Sequence, residues 1–98
     1  MQQLTPKDPT EIIPIIFDFT ALLSTITSIS DVSVSVKTGT DINVGTMKQG
    51  VADISGTSII QLIKNGVAGN TYIVRAEVIS GSQKYVLAAI LPVTSANE

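Results

Sequence analysis

The chain has no cysteine, no histidine and no tryptophan among its 98 residues, and it carries only 14% charged residues. Each absence removes a class of chemistry. Without cysteine there are no disulfides, no iron–sulfur clusters and no thiolate zinc sites. Without histidine no Ser-His-Asp triad, Cys-His dyad or imidazole metal site can be assembled. Serine and threonine are plentiful, yet no G-x-S-x-G turn is present to expose one as a nucleophile. The eight acidic residues form no D-x-[DN]-x-[DN]-G loop of the calcium-binding kind. No basic run exists either. Lys7, Lys37, Lys48, Lys64, Arg75 and Lys84 are spread along the chain, and the net charge is −2. That argues against the clustered positive footprint nucleic acid requires. No apolar stretch reaches the length of a membrane helix, and Gln2 and Gln3 follow Met1 where a secretory leader would be basic and then apolar. The expectation is a soluble protein made in a cytoplasm, not an enzyme, with no cofactor, no nucleic-acid partner and no membrane partner.

What the chain does have is aliphatic residues. The hydrophobic fraction is 44% and the mean hydropathy +0.40, with isoleucine, valine, alanine and leucine supplying nearly all of it. A chain this short supports one two-layer core. The aliphatic surplus suggests surface buried against a partner, so a homo-oligomer or assembly interface is expected.

Period-two alternation dominates. Residues 1–10, with Pro6 and Pro9, read as an extended arm. Ile13, Ile15, Phe17 and Phe19 alternate along a strand whose other face also begins apolar, and Pro14 places that strand at a sheet edge or bend. Asp18, between two aromatics, is read as accepting the amides of Thr20 to Leu22. Ala21 to Leu23 is expected to make one helical turn. Val32, Val34 and Val36 point inward on the cleanest strand, followed by a turn at Thr38 to Asp41. Ile42 to Met47 and Val51 to Ile54 are weaker strand candidates, separated by Lys48 to Gly50. Ser58 to Lys64 is a strand with Ile60 and Leu62 on one face and Ile59 and Ile63 on the other.

The stretch from Gly66 to Ile79 is the most informative. Gly66 and Gly69 are turn glycines, not a phosphate loop, because no Lys-Ser/Thr and no helix follow them. Tyr72 then opens a long strand with Val74, Ala76 and Val78 facing in. Its hydroxyl is expected to bond nearby backbone. Arg75 and Glu77 face solvent or a cross-strand neighbour. A four-residue loop, Ser80 to Gln83, leads to a final strand, Lys84 to Val93. About seven strands with no helical period predict an all-β, immunoglobulin-like antiparallel β-sandwich spanning 11–94, with a tail at 95–98.

The order of these features resembles a family of small immunoglobulin-like virion proteins of tailed bacteriophages and prophages, the fibre–tail adaptors. The matching residues are Lys7-Asp8-Pro9, Phe17-Asp18-Phe19-Thr20, Leu22 or Leu23, and Ile26 leading to the Val32/Val34/Val36 strand. Gly66-x-x-Gly69-x-x-Tyr72 and the Gly81 hairpin complete them. Phe19 stands where that family often carries tryptophan, and Gly39 to Thr57 has no counterpart. The resemblance implies a non-enzymatic structural protein of a virion, synthesised in a bacterial cytoplasm and contacting tail or fibre subunits. The contact residues expected are Lys7, Asp8 and Pro9 of the arm and the outward-facing Ile73 and Ile79. An adhesive or carbohydrate-binding sandwich is the alternative. It calls for exposed aromatics, and only Phe17, Phe19, Tyr72 and Tyr85 exist to supply them.

Overall fold

The structure, a computed structural model, describes residues 2–95; Met1 and the tail residues 96–98 lie outside the described residues. The alternating segments form seven strands: β1 (Gln2–Gln3), β2 (Ile13–Asp18), β3 (Ser28–Thr38), β4 (Lys48–Ser55), β5 (Ser58–Ile63), β6 (Thr71–Ser80) and β7 (Gln83–Pro92). They build one sheet in the order β1-β7-β6-β3 and a second in the order β2-β5-β4. All pairings are antiparallel except β1 on β7. This is the immunoglobulin-like sandwich expected from the strand spacing.

The core is where period two puts it. Ile15, Phe17 and Phe19 from the β2 segment meet Ile59 and Ile63 of β5, and Tyr72, Val74, Ala76 and Val78 of β6. Ala89, Leu91 and Val93 cover them from the β7 side. On β3, Val32 is buried while Val34 and Val36 pack half-buried at the margin. Pro14 sits on β2, an edge strand of the three-stranded sheet, where its missing N–H costs no ladder bond.

Tyr72 locks the entry to β6. Its hydroxyl accepts the Val67 N–H at 2.9 Å and donates to Asp41 Oδ2 at 2.8 Å, and Asn70 Nδ2 approaches it at 3.3 Å. The bond to backbone five residues upstream is the tyrosine corner of immunoglobulin-like folds. Gly66 and Gly69 both hold positive φ, as a turn of this kind requires.

Three expectations change. Ile42 to Met47 is not a strand. Asp41 takes the Asn43 N–H at 2.8 Å, and Val44–Thr46 closes into a 3₁₀ turn that drops Met47 into the core. Lys48 to Gly50 does not separate strands but lies within β4, whose register against β5 slips between Gln49 and Asp53. That bulge absorbs the weak pattern that made the segment hard to read. The β6–β7 loop is shorter than expected, because Ser80 pairs with Gln83 and only Gly81 and Ser82 remain between them. The extended arm runs along β7, with Leu4 N–H on Ile90 O at 2.8 Å and Lys7 N–H on Pro92 O at 3.0 Å.

Candidate interaction surface

Lys7 is wholly buried. Its Nζ donates to Asn65 O at 2.7 Å and Asp8 O at 2.8 Å, so the ammonium ties the arm to the turn before β6. Burial pushes its pKa below the usual lysine range, against the opposing pull of Glu11 and Asp8. Asp8 is half-buried and serves the chain's own turn. Its carboxylate accepts the Thr10 N–H at 2.8 Å, and its own N–H donates to Glu11 Oε1 at 2.7 Å. Pro9 is half-buried beside it. The side chain of Lys7 is thus engaged within its own chain, a role that charge counting along the sequence does not suggest.

Ile73 and Ile79 do lie on the outer face of the four-stranded sheet, but half-buried and apart. Ile73 is flanked by Ser35 and Ile90, Ile79 by Ser28 and Lys84. Between them stand Arg75 and Glu77, joined to each other at 2.6 Å. The arm residues and the two isoleucines do not come together into one patch.

The continuous apolar surface is elsewhere. On the three-stranded sheet, Ile15, Phe17, Ile59, Gln61 and Ile63 face the core, so the residues between them face out. Cross-strand pairs then set Pro14 beside Leu62 and Ile16 beside Ile60. Ile12 precedes β2 and extends the row. Ile12 is 56%, Ile16 55% and Leu62 41% exposed, and Ile60 is half-buried among them. An antiparallel sheet with one solvated face ordinarily alternates apolar-in with polar-out. Here two paired strands are aliphatic on both faces. Asp53, opposite Ile60, and Asp18, opposite Ser58, mark the polar limits of the patch.

The signal was in the sequence. Both Ile12 to Phe17 and Ser58 to Ile63 read as apolar on two faces, but only the pairing of β2 with β5 joins their outer faces. Asp18 itself has a local task. It accepts the Thr20 N–H at 2.9 Å and the Thr20 hydroxyl, and that hydroxyl bond above all holds its carboxyl below the usual range. The four aromatics that a sugar-binding sandwich would have to draw on are largely consumed by the core: Phe17, Phe19 and Tyr72 are buried, and Tyr85 is half-buried with its hydroxyl on Gln83.

The two lateral flanks of the sandwich differ. On the β3/β4 flank, Lys48 Nζ reaches Val32 O at 2.7 Å across the gap. There the Gln61 amide also donates to Gly50 O at 3.3 Å and lies 3.5 Å from Gln49 O, turned into the bulge. That leaves a groove of about 300 Å³ there, against one of about 620 Å³ on the β2/β7 flank, lined by Gln2, Ile16 to Asp18 and Val86 to Ala88. Comparison with known proteins returned no matching family model, no matching curated protein and no matching solved structure.

Proposed function

We propose that this chain is a non-enzymatic assembly module that works by docking its outer β2–β5–β4 face onto protein surfaces, in a homo-oligomer and against tail or fibre subunits of a phage or prophage virion. The observation that carries the docking reading is the row Ile12, Pro14, Ile16, Ile60 and Leu62 on a sheet face that has no covering layer among the described residues. Covering one fully exposed aliphatic side chain contributes about 1.5–3 kcal/mol. Several adjacent ones supply the apolar centre that protein interfaces are built around. The virion setting is supported by the ordered motifs from Lys7 to the Gly81 hairpin and by the sandwich they encode.

Light scattering across a concentration series, together with mass spectrometry of purified particles, tests the reading. The expected result is a defined oligomer that dissociates when Leu62 and Ile12 are both changed to lysine, and recovery of the chain in particles. A monomer at every concentration that is also absent from particles refutes it. A monomer that binds a glycan would instead favour the adhesive alternative.

A further inference from the structure

The geometry points to a second docking element: the open groove on the β2/β7 flank accepts an extended segment of another protein, aliphatic at alternate positions, added as a strand to the free part of β7. It goes beyond the sheet-face docking proposed above and uses a different surface that shares only Ile16 at its rim, resting on that reading only in taking the chain to act through protein contacts.

The argument begins with main-chain groups. Leu4 N–H on Ile90 O and Lys7 N–H on Pro92 O show that the even-numbered residues of β7 turn their backbone toward β1. By strand alternation Lys84, Val86 and Ala88 turn theirs the same way. But β1 pairs only with Ala89 and Ile90, so from Gln83 to Ala88 no strand lies on that side among the described residues. A sheet edge of this kind is a template for an added strand. The groove continues the β1–β7 ladder in line, and its other wall is aliphatic: Ile16 and Phe17 across from Val86 and Leu87. A strand laid there would bond to β7 and seat every second side chain between the sheets.

The occupant is a different chain because a second copy cannot pair along the whole of the free stretch. The other free edges of this protein are interrupted. β2 carries Pro14, β4 has its register shift between Gln49 and Asp53, and β3 is shifted near Ile29 and near Val36. Only β7 is uninterrupted against β6. Two β7 strands paired antiparallel about Val86, however, would put Gln83 of the second copy opposite Ala89, the place Gln2 already holds, and paired about Tyr85 they would run out of strand at Gln83, leaving Ala88 opposite Ser82 of the turn. Asp18, ionised at the groove wall, favours a lysine or arginine in the incoming segment.

The test is amide hydrogen exchange read by NMR on the full chain. The probe is a blocked heptapeptide of alternating valine and threonine with one terminal lysine, and the control has serine at each valine. The expected result is exchange at Val86 and Ala88 slowed at least about tenfold by the valine peptide only. Val86→Pro removes the outward N–H at a position where an edge strand tolerates proline, and abolishes the effect. Leu87→Lys keeps the outward backbone donors of Val86 and Ala88, puts a charge where the incoming side chains would sit between the sheets, and does the same. Leu62→Lys, which removes face docking, leaves the peptide effect intact, so the two readings fail separately. Unchanged exchange with the valine peptide overturns the inference, as does equal protection by the serine peptide. Protection of these amides by raising protein concentration alone would assign the edge to a second copy and also overturn it.

Discussion

Replacing Tyr72 by phenylalanine removes one oxygen from the turn that sets the entry to β6. In the native chain that oxygen satisfies the Val67 N–H at 2.9 Å, feeds Asp41 at 2.8 Å and touches Asn70 Nδ2 at 3.3 Å. The three losses are unequal. Asn70 Nδ2 keeps its bond to Thr40 O at 2.9 Å, and half-exposed Asp41 turns to water. The Val67 N–H has no second partner, and leaving such a donor unsatisfied costs about 1–3 kcal/mol. The ring stays buried, so no cavity forms. Tyr72→Phe should therefore lose about 2 kcal/mol, near 10 °C of melting temperature for a domain of this size.

Chemical denaturation followed by circular dichroism measures that loss. Alkaline titration adds a second signature. Burial, reinforced by Asp41, raises the Tyr72 pKa above that of a free phenol, against the Val67 and Asn70 bonds. The folded state then holds the proton more tightly than the unfolded one, so stability is full below about pH 10 and falls as pH rises through the folded value. Tyr72→Phe should abolish that alkaline decline. A loss below about 0.5 kcal/mol, or an alkaline slope unchanged in the variant, would refute the corner as a determinant of stability.

Three further outcomes follow from the geometry. Gly39→Ala should destabilise the fold by several times the ~1 kcal/mol of an ordinary glycine effect, because φ is +105° and the new Cβ would lie 2.0 Å from Asn70 Oδ1; thermal melting checks it. Lys7→Ala should free the arm, raising hydrogen exchange at Leu4 and Lys7 while the β6 amides stay protected. In the native chain the depressed Lys7 pKa makes arm docking strengthen as pH rises through the folded value toward about 10.4, and that dependence should vanish in the variant. Phe19→Ala, which empties a wholly buried site, should cost about 3–5 kcal/mol in urea denaturation, a large share of the 5–15 kcal/mol typical of a domain.

The fold was legible because two-layer burial writes itself in period two. Tyr72, Val74, Ala76 and Val78 had to face one way, and every one of them is buried. The misreadings fall where the period is interrupted by bonds between distant residues. Ile42 looks like a strand residue, yet it is 93% exposed beside an Asp41 whose carboxylate bonds Asn43 and Tyr72. Nothing near Ile42 announces that Tyr72, thirty residues on, will claim Asp41. Lys48 and Gly50 read as turn residues, yet β4 carries them because Lys48 reaches Val32 O and Gln61 fills the bulge from inside.

The surface was less legible than the core, and for a definite reason. An outward aliphatic residue on one strand is ordinary, and becomes a patch only when its cross-strand neighbour is aliphatic too. Ile16 and Ile60 are 44 positions apart, and only the β2–β5 register sets them side by side. A one-residue slip of β2 against β5 would turn Ile16 into the core and drive Phe17 out. The buried aromatic ring of Phe17 fixes the register against that slip. The same constraint that assembles the core therefore leaves the aliphatic outer row displayed. Polar residues at positions 12, 16 and 62 would satisfy the core equally well, so the core gives no account of why those positions are aliphatic. The docking onto another protein proposed above does.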